Sequence, residues 1–378
     1  MKRALLFLLL LSAVASAARV EAFLSPDNSF QALHDFIQGG NLYIASYTFT
    51  NPYIMDGLIG AKNITILIDA SPAGGLIGKE LLCEMQKNNI SVHLFYGKGY
   101  MHAKYIIKGS AVLVSSENIG DDGYPKYNYG NRGYGVIVYD ENIAKEFMKI
   151  FNEDMKNSKQ FVCNLTDYRI NYDDKKGKST FQQKSFDNQM IRTIFAPNAT
   201  DDILSLINSA DKSLHIEQFY IYRYWKNSSN PFLEAAIERA RNGVDVKILL
   251  DSIWYNVDKK DENSNFYTAE YVNGIARKEN LSLEARLVDL DKLGFQEVHN
   301  KGMIVDESIV LVSSINWNEN SPKNNREVGL VISGESAKYF LAAFEYDWSG
   351  GKEDNNFVLL ISLVIVAIII IFILVSRR

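Results

Sequence analysis

The chain is short of the residues that would place it in several common classes. Two cysteines in 378 residues exclude a disulfide-built scaffold, and Cys83 and Cys163 match no metal-ligand spacing. Positive charge is not in excess. Forty Lys and Arg face 45 Asp and Glu, a net charge of −5, so no global field draws the chain to nucleic acid. Histidine is scarce as well, at five residues, while 47% of the composition is hydrophobic, enough for one large core or two fused ones.

Two of the five histidines stand in the same short frame, His102-Ala103-Lys104 and His299-Asn300-Lys301. Each is followed by two apolar runs and then a Ser-Ser-x-Asn turn, Ser115-Ser116-Glu117-Asn118 and Ser313-Ser314-Ile315-Asn316. That spacing predicts two strands joined by a tight turn, at Gly109-Ser110 in one copy and Asp306-Glu307-Ser308 in the other. Side chains two apart on a strand share a face, so each unit presents an imidazole and an ammonium together. Two such units facing each other would surround a tetrahedral anion. A phosphodiester fits: Lys104, Lys301, Asn118 and Asn316, with Ser116 and Ser314, hold its oxygens while one imidazole attacks phosphorus and the other protonates the leaving oxygen.

The sequence around each motif repeats too: Leu42–Tyr47 answers Leu214–Phe219, Ile64–Asp69 answers Val246–Asp251, and Phe151–Asp154 answers Phe344–Asp347. This is an internal duplication of an α/β unit, with the site expected where the halves meet. The expected division is 18–155 for the first repeat, 156–189 for a polar surface linker and 190–349 for the second repeat.

These residues resemble the phospholipase D superfamily, whose HxKxxxxD signature appears twice per active site. The second motif matches in full at His299, Lys301 and Asp306, whereas the first has Gly109 in place of the Asp. Beyond the second motif Arg326-Glu327 supplies the acid that the family places there, and the first repeat has Arg132-Gly133 instead. The resemblance implies that Glu327 holds His102, which makes His102 the nucleophile and His299 the general acid. It leaves His299 without an acid from the first half, and it implies no metal and no cofactor. Outside the motifs, His34, His93 and His215 read as structural, and Glu217 and Gln218 as buried polar residues near the cleft. Tyr124, Tyr127, Tyr129 and Tyr134 are candidates to wall a substrate groove.

The ends suggest a location. Met1-Lys2-Arg3, an apolar stretch and Ala15-Ser16-Ala17 read as a cleavable leader over 1–17, and 357–375 as a transmembrane helix stopped by Arg377 and Arg378. The expectation is therefore a single-pass protein with its body outside the cell or in a lumen, tethered by its C-terminus, where Cys83 and Cys163 can pair and pin the linker. Nothing in the sequence fixes an oligomeric state. The first reading of function is hydrolysis of a phospholipid through a phosphohistidine. Single-stranded nucleic acid cleavage, phosphatidyl transfer to an alcohol and binding without turnover are the alternatives.

Overall fold

The alternating apolar runs become strands of one continuous 15-stranded sheet. The computed structural model describes residues 16–71, 78–170, 172, 175–226 and 228–351. The first half supplies β1 (Ser16–Ser25), β2 (Asn41–Ser46), β3 (Asn63–Asp69), β4 (Ser91–Phe95), β5 (Tyr105–Lys108), β6 (Ala111–Ser115), β7 (Gly133–Tyr139) and β8 (Ser158–Gln160). The second supplies β9 (Lys184–Ala196), β10 (Ser213–Gln218), the small separate hairpin β11 (Tyr224–Trp225) and β12 (Ser228–Ser229), β13 (Asp245–Leu250), β14 (Leu283–Leu287), β15 (Lys301–Val305), β16 (Ile309–Ser313) and β17 (Glu327–Ser333).

β1 and β9 pair antiparallel at the centre, and the same order unrolls on either side. One arm runs β1-β7-β6-β5-β2-β3-β4, closed by β8, and the other runs β9-β17-β16-β15-β10-β13-β14. In each arm the outer three strands are parallel and need crossovers, which helices such as Lys79–Lys87 and Pro231–Arg241 provide. The motif hairpins β5-β6 and β15-β16 are antiparallel. One face of the sheet carries a core shared by both halves, into which the helices Glu141–Met155 and Ser336–Trp348 pack through Phe147, Phe151, Phe340 and Phe344. The other face carries a separate core in each half.

Two arginines, Arg132 buried and Arg326 half-buried, staple the halves reciprocally. Arg132 of the first half reaches Asp347 on the second half's last helix at 2.7 Å, and Arg326 of the second half reaches Asp154 on the first half's at 2.8 Å. Arg132 also pairs with Asp27 at 2.6 Å. These charges are tolerated because each is paired, and the two guanidinium groups donate further to the Ser25 and Ala196 carbonyls.

Several expectations are revised. β9 begins at Lys184, inside the stretch read as linker; its outer half is largely exposed and polar, so apolar alternation does not reveal it. Ser16 and Ala17, read as the end of a leader, pair with Ile191 and Met190. Cys83 and Cys163 do form a disulfide, which ties the segment after β8 to the helix Lys79–Lys87. The membrane placement is corrected. No helix among the described residues is long and apolar enough to cross a membrane, and the span expected at 357–375, like the leader residues 1–15, lies outside the described residues. The single-pass topology and the C-terminal tether are therefore withdrawn.

Candidate active site

Each motif histidine is placed by the opposite half. Residues just ahead of β5 and β15 bridge to residues just ahead of β17 and β7: the His102 amide donates to the Arg326 carbonyl at 2.9 Å, and the His299 amide to the Arg132 carbonyl at 2.9 Å. The carboxylates at the ends of β3 and β13 fix the preceding residue. Asp69 accepts the Met101 amide at 2.6 Å and Asp251 the Val298 amide at 2.7 Å.

Both lysines are buried, Lys104 at 1% and Lys301 at 0% exposure, and each ammonium donates to the carbonyl of its own motif histidine. Burial pulls Lys301 down to about 8 and Lys104 well below its ordinary value. Asn118 and Asn316 follow the hairpins, with side-chain oxygens that are buried and accept no hydrogen bond from the protein. Ser116 and Ser314 accept the Tyr134 and Val328 amides, at 3.1 and 3.0 Å, so both hydroxyls bond to the scaffold.

Both imidazoles have a carboxyl partner from the other half. His102 Nδ1 lies 2.8 Å from Glu327 Oε2. His299 Nδ1 lies 3.1 Å from Glu117 Oε2, a residue that sequence reasoning passed over. Glu117 stands in the turn after β6, where the second repeat has Ile315, and its carboxyl occupies the space left by Gly133. A Cβ at Gly133 would sit 2.0 Å from Glu117 Oε1. The acid missing from one position has been supplied from another. The signal was available as a reciprocal difference between the repeats, Glu117 with Gly133 against Ile315 with Glu327.

The two pairs differ in charge. Burial pushes Glu327 up, but His102, Lys104 and the Ser321 hydroxyl more than offset it, so its net direction is down and it is ionised near neutral pH. Burial pushes Glu117 up to about 7 against the opposing Lys301, Asn131 and Ser116. Both imidazoles are lowered, first by burial. Lys104 and Lys301 add to this at both histidines, and His299 feels His102 as well. The four groups thus sense one another's charge across the interface, as members of one site.

Asp306 lies at the far end of its hairpin, away from this site, and accepts the amides of Asp211, Lys212 and Ser213 at 2.7 to 3.2 Å. In the first half Lys108 serves the same corner with inverted polarity, donating to the Phe36 and Gln38 carbonyls at 2.8 Å. Gly109 therefore costs a hairpin anchor and leaves the histidine site intact. His215 stacks on Phe344 with ring centroids 5.0 Å apart. His34 sits on the helix Ser29–Phe36 and His93 on β4. Tyr124 and Tyr134 are buried in the core, and Tyr134 donates to Glu217 at 2.8 Å; only Tyr127 and Tyr129 of the four tyrosines line an open cavity.

Residues 38–155 and 203–348 match the family described as cardiolipin synthase, PLD-like domain. The chain belongs to the phospholipase D superfamily. The cardiolipin synthase of Clostridium perfringens is 24% identical to it over 244 residues, covering 58% of this chain and 48% of that protein. The DISARM protein DrmC of Bacillus paralicheniformis is 28% identical over 134 residues, 35% of this chain and 49% of that one. The chain thus spans about half the length of the curated relatives it matches. Its fold resembles that of phosphatidylserine synthase from Haemophilus influenzae, with a TM-score of 0.68, 14% identity, and coverage of 93% of this chain and 90% of that one. In this phospholipase D fold the match spans both repeats, and both motif histidines lie within it.

Proposed function

We propose that the protein transfers a phosphatidyl group from a phospholipid to an alcohol through a phosphohistidine on His102, with water as the competing acceptor. The reading of hydrolysis as the main reaction gives way to transfer because the matched family and the curated relatives at 24% identity carry the name of a synthase.

The observation that carries the mechanism is the pair of cross-half contacts, His102 with Glu327 and His299 with Glu117. An ionised Glu327 accepts the Nδ1 proton of His102, which leaves the Nε2 lone pair free to attack phosphorus. A protonated Glu117 donates to His299 Nδ1, which keeps the proton on Nε2 and makes His299 the donor to the leaving oxygen. Lys104, Lys301, Asn118 and Asn316 take the nonbridging oxygens, whose charge grows in the transition state. The bond from phosphorus to the first alcohol then breaks, and that alcohol leaves with the His299 Nε2 proton while Nδ1 takes up the proton of Glu117. The incoming alcohol returns a proton to His299 as it displaces His102.

The test is purified protein incubated with a soluble short-chain phospholipid, with and without an alcohol, followed by quenching in base and product analysis. Expected are a transferred product, acid-labile phosphate on His102, no turnover in His102→Asn, and accumulated phosphoenzyme in His299→Asn. A single-stranded oligonucleotide runs alongside. Cleavage of that strand with no phospholipid turnover would overturn the proposal.

A further inference from the structure

Each stapling arginine is preceded by an asparagine that donates to the histidine-bound glutamate of its own half. Asn325 Nδ2 lies 3.2 Å from Glu327 Oε1, and Asn131 Nδ2 lies 3.3 Å from Glu117 Oε2. The two differ in what else they reach. Asn131 Nδ2 also donates to Glu297 Oε1 at 3.2 Å, whereas the residue that answers Glu297, two positions ahead of His102, is Tyr100. The positions are in register, because the Arg132 amide donates to the Glu297 carbonyl and the Arg326 amide to the Tyr100 carbonyl, both at 2.8 Å. A second glutamate thus stands beside the pair at His299, where the pair at His102 has a tyrosine.

Glu297 is held from two sides. The Tyr255 hydroxyl donates to its Oε2 at 2.5 Å. The Tyr255 ring lies 6.3 Å from that of Phe219, which packs edge-on to His299 with centroids 4.7 Å apart. Asn256, next to Tyr255, donates to the Phe219 carbonyl at 3.2 Å and to Asp251 at 2.9 Å. These contacts close a circuit that leaves His299 through Glu117, Asn131 and Glu297 and returns to it through Tyr255 and Phe219.

An amide NH₂ has two hydrogens and can serve one carboxyl with each, so Asn131 fixes Glu297 and Glu117 as neighbours. Like charges at such range disfavour each other, and a shared proton settles where charge is harder to solvate. Glu117 is that member. It is buried at 1% exposure, while Glu297 is half-buried and takes the tyrosine hydroxyl besides. The charge of Glu297 is felt at His299 and Lys301, both of which it raises. The other charged and titratable groups facing Glu117 are Lys301 and Lys104, which favour its ionisation, His299, and Asp122 and Tyr124, which sense its charge from the loop after β6.

We propose that Glu297 is a positioning residue for the acid side of the reaction: its carboxylate, fixed by Asn131 and Tyr255, keeps the proton on Glu117 and so keeps His299 poised as donor to the leaving oxygen. The inference rests on the mechanism proposed above, in which a protonated Glu117 sets the His299 tautomer. It gives Glu297 no contact with substrate.

The experiment titrates the full chain, ¹⁵N-labelled at histidine and free of substrate, from pH 5 to 9 and follows the His299 ring nitrogens, assigned by their loss in His299→Asn. Wild type should show a step near pH 7 as Glu117 gives up its proton. That step should vanish in Glu117→Gln, which separates it from titration of Lys301. Glu297→Gln, which keeps groups able to meet Asn131 and Tyr255, should move the midpoint to lower pH by roughly 0.5 to 1.5, the effect of one like charge at this range. Glu297→Tyr, the residue that the first half carries here, should lower it likewise. Glu297→Asp keeps the charge and should hold the midpoint closer to wild type than either, and the high-pH limb of turnover should follow the midpoint in all three. A midpoint that both charge-removing variants leave in place or raise overturns the role of Glu297 and leaves that of Glu117 standing. Absence of the step in wild type overturns both. Because the titration needs no substrate, a step that shifts as expected in protein that turns over no phospholipid supports the role of Glu297 while the transfer reading fails.

Discussion

Replacing each glutamate by glutamine should have opposite consequences at the two histidines. At Glu327 the Oε1 atom accepts the Ser321 hydroxyl at 2.6 Å and the Asn325 amide at 3.2 Å. A glutamine at 327 keeps its oxygen on those two donors and turns its NH₂ toward His102 Nδ1. The imidazole must then carry its proton on Nε2, where the lone pair is needed for attack. The loss should approach the upper end of the roughly 10² to 10⁴ that positioned proton transfer contributes, with little change in thermal stability. Glu117→Gln removes a carboxyl that burial raises to about 7 yet leaves a group able to donate to His299. Its cost at pH 6 should be smaller than that of Glu327→Gln, because the Nε2–H tautomer of His299 is kept although no carboxyl proton follows it. Wild-type activity should fall as pH rises through about 7, as Glu117 ionises, and that limb should be absent in Glu117→Gln. The assay is pre-steady-state turnover of a soluble phosphodiester across pH 5 to 9, with ¹⁵N NMR of the two imidazoles to read the tautomers. Equal losses in the two variants, or a limb near 7 that survives Glu117→Gln, would refute the assignment.

Three other outcomes follow from the same contacts. Gly133→Ala should displace Glu117, because its Cβ would lie 2.0 Å from Oε1, and should lower turnover about as much as Glu117→Ala; the double variant Glu117→Ala with Gly133→Glu, which puts the acid where the second half has it, should recover most of the loss. Asp306→Ala should cost about 1 to 3 kcal/mol in chemical denaturation, the worth of hydrogen bonds to a charged group, with activity retained below the midpoint. Glu117 also sets a pH dependence of stability: its folded value of about 7 exceeds the ordinary 4.5, so the native chain keeps a proton that the unfolded chain releases. That contribution is full below about 4.5 and lost by about 7. Across the window wild type should lose on the order of 3 kcal/mol relative to Glu117→Gln, and parallel stability curves would contradict the buried carboxyl.

The duplicated His-x-Lys frames, the hairpins and the meeting of the halves were legible because strand periodicity and repetition are local signals. The central strands β1 and β9 were not. Ser16–Ser25 overlaps what reads as a leader, and the first residues of Lys184–Ala196 are polar and exposed, so pairing with each other, a long-range fact, is what makes them strands. The partner of His299 was missed for a related reason. Alignment of the repeats looks for an acid at the position of Glu327, but Glu117 reaches the same volume from a turn 16 residues earlier than Gly133. Sequence position hides what Cβ geometry shows.

That displacement also accounts for how one duplicated unit can yield two unlike histidines. The pairs have the same composition, a glutamate on Nδ1 of an imidazole, and they share the same lysines. Their surroundings differ. Glu327 opens a strand and is met by the Ser321 hydroxyl and the Asn325 amide in addition to His102, and these donors favour the carboxylate. Glu117 sits in a turn beneath Gly123 and Gly133, with a serine at 3.1 Å and a longer asparagine contact at 3.3 Å, so burial prevails and the carboxyl keeps its proton to about 7. An ionised partner produces a nucleophile and a protonated partner an acid. With an acid at position 133, as at 327, both imidazoles would face carboxylates placed alike. The substitution of Gly133 for an acid, which reads in the sequence as decay of the motif, is on this assignment what divides the roles.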